Sequence, residues 1–182
     1  MEQEGRRLSH SAHSSMRSHT NAARFLVAVT CLLLVSAHAE TIEGKVVRVA
    51  DGDSLTILSG NQQIRIRLLE IDAPERGQAF GTRSRESLTE LCATKQARVD
   101  WQERDQYGRT LGRVWCDGVD VNAEQVRRGM AWVFDRYVRD KGLYALQDEA
   151  RVARRGLWTD EGPTPPWEWR RLKKRGEMKA SK

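Results

Sequence analysis

The sequence predicts an α+β protein, mainly β, built on a five-stranded OB-type barrel with about three helices packed on it. Three observations predict it. Short segments of alternating polarity fill residues 41–72 between strong turn signals, a stretch of helical period follows, and two further strand-like segments precede a run of helices. That order suits a closed barrel, and closure removes the exposed edges that an open sheet would leave.

Each element has a local reason. Asp51-Gly52-Asp53 and Ser59-Gly60-Asn61 are turn sequences, so residues 41–72 divide into three antiparallel strands in meander. In the third, Ile64, Ile66 and Leu68 share one face, and Arg65 and Arg67 the other. Beyond Pro74 the pattern changes. Leu88, Leu91 and Cys92 recur at three-to-four spacing within residues 82–93, which predicts a helix with Arg83, Arg85 and Glu86 on its wet side. Residues 97–103 and 110–116 read as strands around an Asp105-Gln106-Tyr107-Gly108 turn, and Cys116-Asp117-Gly118 turns the chain again. A short helix over 121–128, with Asn122 near its start, stops at Gly129. A longer one over 143–155 carries Leu143, Leu146, Gln147, Ala150 and Ala153 on one stripe, with Gly156 as its stop. From Pro163 to Trp169 the chain reads as stiff and extended, then basic to the end. The domain is therefore expected over residues 40–160, with a Pro/Trp-rich segment and a solvated basic tail over 161–182.

Ahead of the barrel, residues 25–35 are an apolar run of signal-peptide length, preceded by Arg17 and Arg24 and followed by Ala37-His38-Ala39. The expectation is an export signal over residues 1–39, cut after Ala39, and a periplasmic or extracellular protein without stable membrane insertion. An uncleaved anchor is the alternative, but the run is shorter than the roughly 20 apolar residues that cross a bilayer. Residues 1–15 form a Ser/His-rich preamble, and Met16 would be a more usual start.

Removing that segment restricts the chemistry. All four histidines (His10, His13, His19 and His38) lie in it. A chain from Glu40 onward has no His general base, no His-metal site and no phosphohistidine, so acid-base work falls to carboxylates, Lys, Tyr or Arg. Four Arg and two Glu leave as well, so 27 basic and 23 acidic residues remain. Residues 167–182 carry seven basic and two acidic of these, which leaves 40–166 near neutrality. The basic pI thus belongs to the tail, and any site must be argued from local constellations. Cys92 and Cys116 remain as an even pair, read as a disulfide in an oxidising compartment or as two separate buried thiols.

Two carboxylate clusters, Asp51-Gly52-Asp53-Ser54 and Asp72-Ala73-Pro74-Glu75, flank strands that should pair. A hard cation such as Ca²⁺ takes several oxygens at once, and two Asp from neighbouring loops supply a start. Taken singly, each cluster is an ordinary turn or strand exit. Arg67 and Arg109 lie close to them in sequence or by turn. Hydrolysis of a phosphodiester builds negative charge on five-coordinate phosphorus, which planar guanidinium donors offset.

In order and at these separations, DGDS (51–54), IRLLEIDAPE (66–75), DQYGR (105–109) and DGVDVNAEQVRRGMAWV (117–133) closely resemble the staphylococcal nuclease family. The resemblance runs from about Glu43 to Trp158. It implies a Ca²⁺-dependent nuclease acting on DNA and/or RNA. Asp53 and Asp72 match the family's Ca²⁺ carboxylates, and Ala73 a position that offers its backbone carbonyl. Glu75 matches the general base, and Arg67 and Arg109 the arginines that hold the scissile phosphate. Gln106, Tyr107 and Tyr137 match substrate-contacting positions. Two departures concern substrate grip: Gln106 stands where the staphylococcal enzyme has Lys, and Asp135 where the family has a base-stacking aromatic. Trp132 and Phe134 are read as core residues rather than substitutes.

Two other readings compete. One is a catalytically silent OB module that binds nucleic acid, which need not keep Asp53, Arg67, Asp72, Glu75 and Arg109 together. The other is an envelope protein whose basic tail binds anionic surfaces. Nothing in the pattern asks for more than a monomer.

Overall fold

Turn chemistry sets the first strands. In the computed structural model, which describes residues 40–176, β1 (Glu40–Val49), β2 (Ser54–Ser59) and β3 (Gln62–Leu68) form the antiparallel meander. The chain continues through β4 (Ile71–Asp72) and helix α1 (Gly81–Cys92) into β5 (Gln96–Arg104) and β6 (Thr110–Cys116). β5 pairs antiparallel with both β1 and β6. The ring closes where β3 runs parallel to β6, with Ile66 facing Thr110, Arg67 facing Leu111 and Leu68 facing Gly112. β1, β2, β3, β5 and β6 thus make the five-stranded barrel. Register shifts at Val46/Arg48 in β1 and Trp101/Glu103 in β5 supply the bends that closure needs.

Inward-facing Val46, Leu55, Ile57, Ile66, Leu68, Val99 and Val114 fill the barrel. Leu88 and Leu91 of α1 pack onto it, as their spacing predicts. Cys92, the last residue of α1, lies beside Cys116, the last of β6, their Cα atoms 5.3 Å apart and within disulfide reach. After β7 (Val119–Asp120), helix α2 (Val121–Arg127) is capped by the Asp120 carboxylate, which accepts from the Ala123 N–H at 3.1 Å. Gly129 turns the chain out at φ +65. β8 (Trp132–Val133) then pairs antiparallel with β4, placing Trp132 opposite Asp72.

Helix α3 (Gly142–Val152) stops at Val152 rather than at Arg155. The chain must double back there so that Leu157 N–H can donate to the Gly129 carbonyl at 2.9 Å. A 3₁₀ turn (Gly156–Thr159) follows. A second apolar cluster of Trp132, Ala150, Leu157 and Trp158, with Phe80 and Trp167 against it, seals this end.

The largest departure from the sequence reading lies beyond it. Within the segment expected to be extended and solvated, residues 166–174 form helix α4 (Pro166–Lys174). Pro166 sits in the first turn, where its missing N–H costs nothing, and Glu168 and the Arg171, Lys173 and Lys174 run complement the helix dipole. Trp169 is buried, so α4 is docked. Among the described residues no helix is long and apolar enough to cross a membrane. The expected export signal and residues 177–182 of the basic tail lie outside the described residues.

Candidate active site

Asp53 leads into β2 from a loop that is tightly specified. The Gly52 carbonyl accepts from Gln125 Nε2 of α2 at 2.7 Å. A Cβ on Gly52 would lie 1.8 Å from Ser84 Oγ and 2.8 Å from the Ala73 Cβ, so only glycine lets the loop sit this close to α1. The Asp53 carboxylate, 5% exposed, accepts from the Ala73 N–H at 2.7 Å and from Ser54 Oγ at 3.1 Å. The two carboxylate clusters are thereby sewn together.

Arg67, at the end of β3, bridges them. Its Nη1 lies 2.7 Å from Asp53 Oδ2 and its Nη2 2.9 Å from Asp72 Oδ1. Asp72 is 1% exposed and is fixed by the β4–β8 pairing. Asn122 of α2 braces the same corner, donating to the Leu69 carbonyl at 2.8 Å and accepting from the Val114 N–H at 3.0 Å.

Arg109 follows the β5–β6 turn and is oriented by Asp105. The Asp105 carboxylate accepts from Arg109 Nε at 2.7 Å and from the Tyr107 and Arg109 backbone N–H groups at 2.9 Å each. Partial burial pushes the Asp105 carboxyl up, but these donors win and its pKa is lowered. Arg109 Nη1 reaches Ser54 Oγ at 3.5 Å, which in turn donates to Asp53. Arg65 Nη2 pins the turn by donating to the Tyr107 carbonyl at 2.7 Å.

Asp53, Arg67, Asp72, Asp105, Tyr107 and Arg109 line one cleft of about 750 Å³. All nine sequence candidates reach it: Asp53, Arg67, Asp72, Ala73, Glu75, Gln106, Tyr107, Arg109 and Tyr137. Burial pushes the Asp53 carboxyl up to about 7, against the pull of Arg67, and Asp51 and Asp72 push the same way. A buried carboxyl in that condition is stabilised by added positive charge. The donor set is oxygen only, two carboxylates with the Ala73 backbone, which fits a hard divalent cation such as Ca²⁺. Among the described residues no group of three or more His, Cys, Asp or Glu side chains is arranged to hold a metal, so backbone oxygen and water would have to complete the shell.

A family profile described as "Staphylococcal nuclease homologue" matches residues 65–160, more than half of the chain. The chain belongs to the staphylococcal nuclease family. Like the family it is a nuclease, a hydrolase whose substrate is nucleic acid. It is 47% identical over 133 residues to an uncharacterized endonuclease of Escherichia coli O157:H7, covering 72% of this chain and 87% of that one. To a micrococcal nuclease of Shigella flexneri it is 42% identical over 165 residues, covering 84% and 95%. An uncharacterized endonuclease of Haemophilus influenzae is 39% identical over 154 residues, covering 81% and 86%.

Within this staphylococcal-nuclease-type cleft stands a residue the sequence reading missed. Arg170 of α4 places Nη2 2.7 Å from Asp72 Oδ2, and Nη1 3.3 Å from Asp72 Oδ1 and 2.7 Å from Glu75 Oε1. Burial opposes its charge, but the hydrogen bonds it donates to Asp72 and Glu75 win and raise its pKa above the ordinary value. Phe134, read as core, also lines the cleft, its ring stacked on Trp167 at 5.4 Å and 11°. The signal that could have found α4 was Pro166 at a helix start, three residues before an aromatic that could bury.

Proposed function

We propose that the protein is an exported, Ca²⁺-dependent nuclease that hydrolyses phosphodiester bonds of DNA and/or RNA in this cleft. One observation carries the reading: a single guanidinium, Arg67, ties Asp53 to Asp72 in a cleft also lined by Glu75 and Arg109. Arg67 and Arg109 present planar donors to a phosphate seated between them and take up the charge that grows as phosphorus becomes five-coordinate. Glu75, half exposed, accepts the proton of the attacking water. The water oxygen bonds to phosphorus as the opposite P–O bond breaks, and the leaving oxygen takes a proton from solvent. Asp53, Asp72 and the Ala73 carbonyl hold the cation, whose charge when bound neutralises the attacked phosphate. Gln106, Tyr107 and Tyr137 contact the flanking nucleotide.

The test is release of acid-soluble fragments from single-stranded DNA and from RNA, with Ca²⁺ and then with chelator, beside Glu75→Gln. Cleavage should need Ca²⁺ and fall by orders of magnitude in the variant. Binding of both polymers without cleavage would instead make this a silent OB module.

The apolar run at 25–35 and the Ala37-His38-Ala39 sequence support export with cleavage after Ala39, into the periplasm or medium. N-terminal sequencing of the exported protein should begin at Glu40. We assign residues 40–160 as the nuclease domain, a monomer in solution, and a Cys92–Cys116 bridge formed on export. Elution as a dimer would overturn the monomer.

A further inference from the structure

We propose that helix α4 is a built-in competitor for the cation site: Arg170 occupies the Asp72 carboxylate oxygens that a divalent cation must take, and holds Glu75 beside them, so loading requires its guanidinium to withdraw. This rests on the assignment of Asp72 as a cation ligand. Arg170 takes Asp72 Oδ2 at 2.7 Å and shares Asp72 Oδ1 with Arg67. With Asp72 1% exposed, its remaining lone pairs have little room for another partner. Calcium takes its oxygens at about 2.3 to 2.6 Å, so it would compete with these N–H groups for the same lone pairs.

The strap is anchored on the side that precedes Arg170. Trp169 is buried, and Trp167 stacks on Phe134 at 5.4 Å. Gln78 Nε2 donates to the Thr164 carbonyl at 2.5 Å and fixes the approach to the helix. A guanidinium delivered from a docked helix acts at high effective concentration, unlike one on a loose tail. Arg170 is also 42% exposed along its side chain, so it can swing out without α4 unpacking. Charge gives it somewhere to go. Asp53, Asp72 and Glu75 face Arg67 and Arg170 as three carboxylates against two guanidiniums. A phosphodiester bound beside the cation would give the displaced guanidinium an acceptor in place of Asp72.

The experiment is Ca²⁺ calorimetry, without substrate, on the full chain carrying Arg170, Arg170→Gln or Arg171→Gln. Each variant is first checked for an unchanged melting curve. Arg171 lies next on α4 and pairs with Glu168 instead. Loss of charge-assisted hydrogen bonds to a partly exposed Arg predicts Ca²⁺ binding about ten-fold tighter in Arg170→Gln. Little change is expected in Arg171→Gln. Equal tightening in Arg171→Gln would mean through-space charge rather than competition, and would overturn the proposal. Unchanged or weaker Ca²⁺ binding in Arg170→Gln would overturn it while leaving the cation site in place. No Ca²⁺ binding by any of the proteins would remove the cation assignment itself, and the competitor with it.

Discussion

Gln125 is a buried side chain on which both the fold and the cleft depend. It is fully buried, donates to the Gly52 carbonyl at 2.7 Å and the Ser84 carbonyl at 3.2 Å, and accepts from Ser87 Oγ at 2.7 Å. Gln125→Leu keeps much of the volume and deletes all three contacts. Ser87 can rotate its hydroxyl, and Ser84 lies within a helix, but the Gly52 carbonyl loses its side-chain partner in a dry place. About 1 kcal/mol for each of the three lost bonds puts the cost near 3 kcal/mol before any further penalty for the stranded Gly52 carbonyl. For a chain of this size that is a fall in Tm of roughly 10 °C. Because Gly52 precedes Asp53, the loop should also loosen, and half-maximal cleavage should need several-fold more Ca²⁺. Urea unfolding and a Ca²⁺ titration of cleavage measure the two effects separately. A Tm within 2 °C of the parent (roughly 0.6 kcal/mol by the same scaling), with an unchanged Ca²⁺ requirement, would refute the idea that α2 holds the loop.

Gly52→Ala should lower stability by about 1 to 3 kcal/mol, since the new methyl overlaps Ser84 Oγ at 1.8 Å, and activity should fall with it; an unaltered melting curve would mean the loop can move aside. If the Cys92–Cys116 bridge is formed, the exported protein will show no titratable thiol in denaturant. Reduction should then cost about 3.5 kcal/mol, from the chain entropy of a loop closed over a separation of 24 residues. The Asp105 pKa is lowered in the folded state, so the stability it gives is present above the unfolded value of about 3.9 and is lost as pH falls through the lower folded value. Asp105→Asn should therefore be less stable than the parent at pH 7, with the gap closing in acid; a gap independent of pH would remove the carboxylate from the explanation.

Most of the cleft could be read in the sequence because its parts are local. Asp53 follows a turn, Arg67 ends a strand whose alternation is plain, and Arg109 follows a second turn, so short motifs carry their own geometry. What could not be read depends on distant partners. The parallel pairing of β3 with β6 joins Ile66 to Thr110, and no local pattern announces it. Spacing left Cys92 and Cys116 open as a pair, whereas the end of α1 lies beside the end of β6. The four residues Pro163-Thr164-Pro165-Pro166 read as stiff coil, yet the last of them starts a helix whose stability comes from burying Trp169. With α4 hidden, Arg170 looked like one more charge in a basic tail.

The parallel pairing has a consequence in time as well as in space. Arg67 faces Leu111 across it, and Arg109 immediately precedes Thr110, so the two arginines flank the seam that turns an open sheet into a ring. Each hairpin can form from its own turn, but the seam, like the β1–β5 pairing, joins residues far apart in the chain and carries a larger entropic cost. Before the seam forms, the cleft does not exist. During refolding, cleavage should return with the phase that reports β3 against β6, which makes catalysis itself a clock for the closing of the ring.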